Sequence, residues 1–411
     1  MNTNPPTVAN HIINAVLSHV RNNKDPLITT PFQAPEAPER RANSPALQFS
    51  SGNTTPPFDP EDNSSILHVG LDWGASKTCI KASFANSDEL VLDECIPTVL
   101  GYAKDGIIEG VLPNNATTLF GREALTFRRH LHLTHPTLNS ASSADFARHL
   151  RSRLAMIAAS EVRIVIAAPA TFDATVRDNI RHTIAEHFQS VIILPQPFLS
   201  ALGFRDESRL LDADYVDPVR NSIFIDIGAA NTSLCLVQGY YPTADEQVTI
   251  EFGGNNVDEL LRQAILDNYP DAELSPITIR HLKERYAFAG AAEASVMAEV
   301  VIAGKTRTLD ITSEISFAMG ELLDRIVASL KTLITSAESD TIPELLRSII
   351  MTGGGSRIKN IDAELQRLLA SDGYADPQAQ AVGHAYKDLA AAGALKSARQ
   401  ARDHHWQQVT T

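Results

Sequence analysis

Apolar positions fall into three textures along the chain. Over residues 8–20, Val8, Ile12, Ile13, Val16, Leu17 and Val20 recur at three- and four-residue intervals, which predicts a short amphipathic helix within residues 1–23. Residues 24–64 lose that periodicity and are rich in Ser, Thr, Asn and Pro; ten of the 22 prolines lie between Pro5 and Pro60. Proline fixes φ and removes a backbone donor, so this stretch predicts an extended, disordered linker. From residue 65 onward, short apolar runs alternate with segments of helical period, the pattern of an α/β protein. Residues 162–167 read as a buried strand, 173–188 as a helix and 190–194 as a second strand, after which Pro195-Gln196-Pro197 opens another helix. That is a β-α-β crossover with both strand ends on one edge, where α/β folds bind ligands.

Two segments of the body repeat one another. ILHVGLDWGASKTCIKAS contains Asp72, Gly74, Ala75 and Thr78, and SIFIDIGAANTSLCLV contains Asp226, Gly228, Ala229 and Thr232 at the same spacing, 154 residues on. Each reads as a buried strand, a tight turn and a returning strand, so two similar domains facing each other across a cleft are expected. A D-x-G-A turn alone is a common hairpin; the matched pair carries more. Glycine is expected here to supply φ > 0 and to bring backbone N–H groups against phosphate oxygens, with the Thr78 and Thr232 hydroxyls as further donors. Asp72 and Asp226, each ending a strand, suit Mg²⁺ held through water. A third element, SIIMTGGGSRIKNIDAELQRLL, runs a strand into Gly353-Gly354-Gly355 and then a helix, leaving a flat backbone surface for a purine or ribose.

Composition narrows the function. Lys plus Arg total 35 against 49 Asp plus Glu, a formal charge of −14, which argues against a nucleic-acid partner. The first 64 residues carry four basic and six acidic groups, so −12 belongs to the body. Cys79, Cys95 and Cys235 cannot all pair and match no metal spacing, which suits a reducing cytoplasm. No apolar run approaches the ~18 residues of a membrane span, and no secretory pattern opens the chain. The N-terminal stripe fits either a membrane or partner anchor or a helix that frays in solution or docks on the body; its shortness and the few cations on its polar face favour the second. His130, His132 and His135 have an inviting spacing but no neighbouring carboxylate or thiolate. Trp406 and the Ala-rich stretch 388–401 read as packing.

The ordered motifs resemble the phosphate-1, connect-1, phosphate-2 and adenosine motifs of the actin superfamily. VTIEFGGNNVDELLRQAILDNYP (248–270), HLKERYAFAG (281–290), VVIAGKTRTLDITSEI (300–315), GGGSRIKNI (353–361) and the tail from 376 to 409 narrow the resemblance to the MreB/MamK family of bacterial actins, closest to its MamK branch. The likeness spans about residues 66–409. It implies an actin-like ATPase fold, with duplicated ribonuclease-H-like domains around a nucleotide cleft. Domain I would cover 65–204 (subdomain IB about 95–145) and domain II 205–400 (subdomain IIB about 253–340), with a tail at 401–411.

The resemblance also implies ATP and Mg²⁺ as ligands. Asp72, Gly74, Ala75, Ser76, Lys77 and Thr78 would face one side of the phosphates, and Asp226, Gly228, Ala229, Ala230, Asn231 and Thr232 the other. Gly254 would bind the nucleotide, Lys283 would contact the nucleoside, and Gly353, Gly354, Gly355, Ser356 and Arg357 would line the adenosine side. Gln196 stands where the family places a glutamate that positions the attacking water; an amide cannot accept its proton, so slow hydrolysis is expected. Ala230, Asn231 and Ser233 depart from the usual second phosphate turn, and Arg280 replaces a ribose-binding glutamate. The implied function is an ATP-hydrolysing cytoskeletal filament in the cytoplasm, self-assembling head to tail and organising magnetosomes with magnetosome-associated proteins. A non-hydrolysing scaffold is the alternative. A sugar kinase would need an Asp base where Pro195-Gln196-Pro197 stands.

Overall fold

The computed structural model describes residues 66–103, 106–107, 125–129, 141–171, 179–180, 183–184, 187–188 and 190–408. The expected N-terminal helix and linker, and the three histidines at 130–135, lie outside these residues.

The first half opens with β1 (Ile66–Trp73), β2 (Lys77–Phe84) and β3 (Leu92–Pro97). A small sheet of β4 (Val99–Ala103), β5 (Gly106–Ile107) and β6 (Leu125–Arg129) follows. Then come α1 (Ala141–Leu154), β7 (Glu161–Ala168), β8 (Ser190–Pro195) and α2 (Gln196–Phe204). Strands β7 and β8 pair in parallel, as the crossover reading requires; most of the predicted helix between them falls outside the described residues.

The second half carries β9 (Ser222–Ile227), β10 (Thr232–Val237), β11 (Gln247–Ile250), α3 (Gly254–Asn268) and α4 (Pro276–Tyr286). The hairpin β12 (Met297–Ile302)–β13 (Lys305–Asp310), α5 (Thr312–Ser336) and α6 (Ile342–Leu346) lead to β14 (Ile349–Thr352). Then α7 (Ile361–Ser371), β15 (Ala379–Ala381), α8 (Leu389–Gln400) and β16 (Gln407–Gln408) close the described chain. Local rules set these ends. Ser275 caps α4 by accepting from the Thr278 N–H, with Pro276 at the first helical position. Along α5, Ile315, Met319, Leu322, Ile326, Leu330 and Leu333 bury one stripe at helical spacing.

Sheet topology makes the repeat explicit. The first sheet runs β16-β8-β7-β1-β2-β3 and the second β11-β10-β9-β14-β15. In each, three consecutive strands form an antiparallel meander, and its first strand also pairs in parallel with a later one, β7 in one sheet and β14 in the other. The register agrees: Asp72 lies opposite Cys79, and Asp226 opposite Ser233.

A shared core holds the halves together. Side chains of both sheets (Val165, Ala167 and Leu194 from one, Phe224, Cys235 and Ile350 from the other) bury around α2 and α8. The two helices touch backbone to backbone: a Cβ on Gly393 would fall 1.9 Å from Leu199 O, and one on Gly203 2.0 Å from Leu389 O. The Ala-rich stretch therefore packs as expected, with Ala390, Ala394 and Ala398 buried. Trp406 is buried and stacks on His68 with centroids 6.3 Å apart; burial among Arg163 and Arg399 pushes His68 down to about 4. No described helix is long and apolar enough to cross a membrane.

Candidate functional site

Both D-x-G-A turns lie at the same end of their sheets and face one cavity. In the first, β1 hands over to β2 through residues 74–77; in the second, β9 hands over to β10 through 228–231. Each opens with a glycine for a steric reason. A Cβ on Gly74 would approach Lys77 O to 2.7 Å, and one on Gly228 would approach Asn231 O to 3.0 Å. Neither glycine has positive φ, which corrects the sequence expectation; the turns need room for a folded-back carbonyl. Both turns are also pinned. Thr98 Oγ1 donates to Gly74 O (2.8 Å), and the Gly254 and Asn255 N–H groups that begin α3 donate to Gly228 O (3.0 Å) and Ala229 O (2.7 Å).

Asp72, Gly74, Ala75, Ser76 and Lys77 line one wall, and Asp226, Gly228, Ala229, Ala230 and Asn231 the facing wall. Gln196, the first residue of α2, also lines the cavity. Gly353, Gly354, Gly355 and Arg357 form a third wall. Here positive φ is real: Gly353 sits at φ +77°, and a Cβ would collide with Ile227 O at 2.5 Å. Gly254 and Lys283 close the cavity from the α3–α4 side.

Three expected residues do not reach the wall. Thr78, Thr232 and Ser356 are buried, and their hydroxyls are used inside the protein. Thr78 bonds Thr98 Oγ1 at 2.9 Å, Thr232 donates to Phe252 O at 2.8 Å, and Ser356 donates to Gly353 O at 2.8 Å. Successive strand side chains alternate faces, so Thr78, the second residue of β2, and Thr232, the first of β10, turn into the sheet packing. Their part is to hold the turns in shape.

Two aspartates, one from each turn, dominate the electrostatics of the facing walls. Burial, reinforced by the charge of Asp226, pushes Asp72 up to about 8, and burial pushes Asp226 up to about 7. Two desolvated carboxylates that resist ionising together would be stabilised by a divalent ion between them. Among the described residues, no group of three or more His, Cys, Asp or Glu gathers as a metal site. On the α4 side, Lys283 Nζ donates to Gly254 O (2.6 Å) and pairs with Asp258 (2.7 Å), and burial holds its pKa below the usual lysine range. Arg280 donates to Asn255 Oδ1 at 3.2 Å.

Sequence reasoning passed over Asn255, Glu284, Tyr386 and Lys387, which also line the cavity. Glu284 had a signal, since it follows Lys283 on the same helix and lies one turn from Arg280. Tyr386 and Lys387 had none: they belong to a 3₁₀ turn over Gly383–Asp388, between β15 and α8.

A family profile described as MreB/Mbl protein matches residues 67–382. A curated relative, the "MamK-like protein" of Paramagnetospirillum magneticum, is 29% identical over 362 residues, covering 85% of this chain and 99% of the relative. The solved "MamK double helical filament" superposes with a TM-score of 0.69 at 26% identity, covering 82% of this chain and all of that one. A non-polymerising point mutant of MamK bound to AMPPNP superposes with a TM-score of 0.59 at 25% identity, covering 82% and 99%.

Proposed function

This chain belongs to the MreB/Mbl family and has the actin-like fold, and from that premise we propose that it is an ATP-binding, slowly hydrolysing bacterial actin that polymerises into cytoplasmic filaments. The observation that carries the reading is the convergence of two equivalent turns on one cavity, each bringing a carboxylate, half-buried Asp72 and buried Asp226. The likeness to a MamK filament and to an AMPPNP-bound MamK supports both self-assembly and the nucleotide. Organisation of magnetosomes, with magnetosome-associated proteins as partners, follows the resemblance to MamK. Membrane contact, if made, falls to residues 1–23, whose sequence has the amphipathic period.

The division of labour follows from chemistry. Backbone N–H groups of residues 74–77 and 228–231 bind phosphate oxygens from opposite sides, and Gly353 to Gly355 seat the nucleoside. Asp72 and Asp226 would hold Mg²⁺ through water, and that ion would neutralise charge on the terminal phosphates. Gln196 orients a water by donating and accepting hydrogen bonds but takes no proton from it, so positioning rather than general-base catalysis carries hydrolysis. Lys283, held by Gly254 and Asp258, fixes the floor under the sugar.

Pelleting the full chain with and without ATP, followed by negative-stain microscopy and phosphate-release assays, tests this. Filaments with phosphate release above a no-protein control are expected. Gln196 and the altered second turn are the two features that a non-hydrolysing scaffold, the alternative, would also show; filaments without phosphate release would establish it, and no filaments under any nucleotide would refute both.

A further inference from the structure

We infer that Cys79 and Cys95 form a reversible dithiol–disulfide pair in the cleft wall that sets how fast nucleotide leaves. The inference rests on the nucleotide reading of the cavity and adds a chemical modification site to it.

Cys79 on β2 and Cys95 on β3 are directly opposed in the antiparallel register and are joined as a disulfide. The two ends differ in access. Cys79 is buried and lines the cavity, whereas Cys95 is exposed and open to a thiol in solution. Cys79 Sγ lies 2.8 Å from Lys387 O, and Cys95 Sγ lies 3.5 Å from the same oxygen. Lys387 belongs to the Gly383–Asp388 turn that carries the chain from β15 in the second sheet to α8 against the first. The next residue, Asp388, pairs with Lys81 at 3.1 Å, and Lys81 also holds Asp93 on β3 at 2.8 Å. The sulfur pair therefore sits under a crossing segment whose Tyr386 and Lys387 form cavity wall.

The equivalent position in the second half shows that the register does not demand sulfur. There Ser233 opposes Thr249, with their hydroxyls 3.0 Å apart. A hydroxyl pair holds two strands together but has no redox chemistry. The remaining cysteine, Cys235, is fully buried, and burial pushes its thiol up, so it is a poor nucleophile. In a reducing compartment a solvent-reachable disulfide of this kind is transient and responsive.

The exchange balances with a low-molecular-weight disulfide such as glutathione disulfide. The Cys95 thiolate attacks one sulfur of that disulfide, forming a mixed disulfide and expelling one glutathione thiolate. The Cys79 thiolate then attacks Cys95 Sγ, forming the Cys79–Cys95 bond and expelling the second. The protein loses two electrons and two protons, and the oxidant becomes two glutathione thiols. In the dithiol, the Cys79 S–H donates to Lys387 O; oxidation removes the hydrogen from both sulfurs and leaves that carbonyl without this donor. In the disulfide the carbonyl still lies 2.8 Å from Cys79 Sγ, but no hydrogen holds it there, so the crossing segment moves more readily and nucleotide leaves faster by roughly two- to five-fold, the scale of one modest hydrogen bond.

The full chain is equilibrated at graded ratios of reduced to oxidised glutathione, trapped with maleimide and mapped by mass spectrometry. Release of a fluorescent ATP analogue is followed in each state by stopped flow. Interconversion of the 79–95 pair is expected, with release two- to five-fold faster when oxidised. Cys95→Ser should show the slow, reduced rate in every buffer, and Cys235→Ala should keep the response. A pair that stays reduced in oxidised glutathione alone, or stays oxidised in excess reduced glutathione, overturns the inference. So does equal release from both states. A chain that binds no nucleotide in either state contradicts the function proposed for the cavity, a separate failure that the thiol map distinguishes.

Discussion

The two halves of the molecule fold the same strand–turn–strand unit and then spend it differently. On the central strand, the first half has Gly70 where the second has Phe224. Gly70 brings β1 against the backbone of α8, where a Cβ would meet Ala391 O at 2.1 Å. Phe224 is instead a fully buried side chain set edge-on to Phe204, with centroids 6.2 Å apart. In the hairpin, the first half has the Cys79–Cys95 bond and the second the Ser233–Thr249 hydrogen bond. What they share is the turn, its glycine and its aspartate. A duplicated scaffold thus keeps the cavity-facing features paired while its packing faces diverge, because each half leans on a different helix of the shared core.

Substitutions at the central strand should separate the two packing solutions most sharply. Phe224→Ala leaves a large cavity and is expected to cost about 3–5 kcal/mol in denaturant unfolding. Gly70→Ala overpacks and is expected to cost about 3 kcal/mol; a neutral Gly70→Ala would mean that β1 and α8 are not in backbone contact.

The aspartates should behave alike, and their raised pKa values fix the sign. The folded state without ligand keeps protons that the unfolded chain has released above pH ~4, so unfolding releases protons and stability falls as pH rises from about 4 to 8. The slope is about 1.4 kcal/mol per pH unit for each group while it remains protonated in the folded state alone. Thermal melts across that range check it, and Mg²⁺ with ATP should flatten the dependence. Asp226→Asn should flatten it without ligand, since it removes one titrating group and lowers the burden on Asp72. A flat wild-type profile would show the carboxylates to be solvated and apart.

The hairpin comparison gives the smallest effect. Ser233→Ala should cost about 1 kcal/mol, the value of one hydrogen bond. Ser233→Cys combined with Thr249→Cys should create an oxidisable pair in the second half, read as two maleimide-reactive thiols lost on oxidation.

What could be read in the sequence was whatever repeats or alternates. The paired turns, the parallel crossover and Gly353 are local patterns, and they reappear as β1–β2, β9–β10, β7–β8 and the +77° glycine. What could not be read depends on register and on distant chain. Cys79 and Cys95 are separated by 16 residues, and only the antiparallel alignment opposes them. Thr78 and Thr232 looked like phosphate donors because of their place in the motif, but strand alternation turns them inward. Tyr386 and Lys387 enter the cavity because α8 docks on the other half, which no local pattern encodes.

On the function proposed here, the two aspartates and the two turns clamp Mg²⁺–ATP together. Titration calorimetry of ATP into the wild-type chain and into Asp226→Asn, each with and without Mg²⁺, tests it most directly. Mg²⁺-dependent binding is expected of the wild type, and at least a roughly ten-fold weaker affinity of Asp226→Asn, a loss of about 1.4 kcal/mol, with little remaining response to Mg²⁺. Equal affinities for the two proteins, with the same Mg²⁺ dependence, would contradict it.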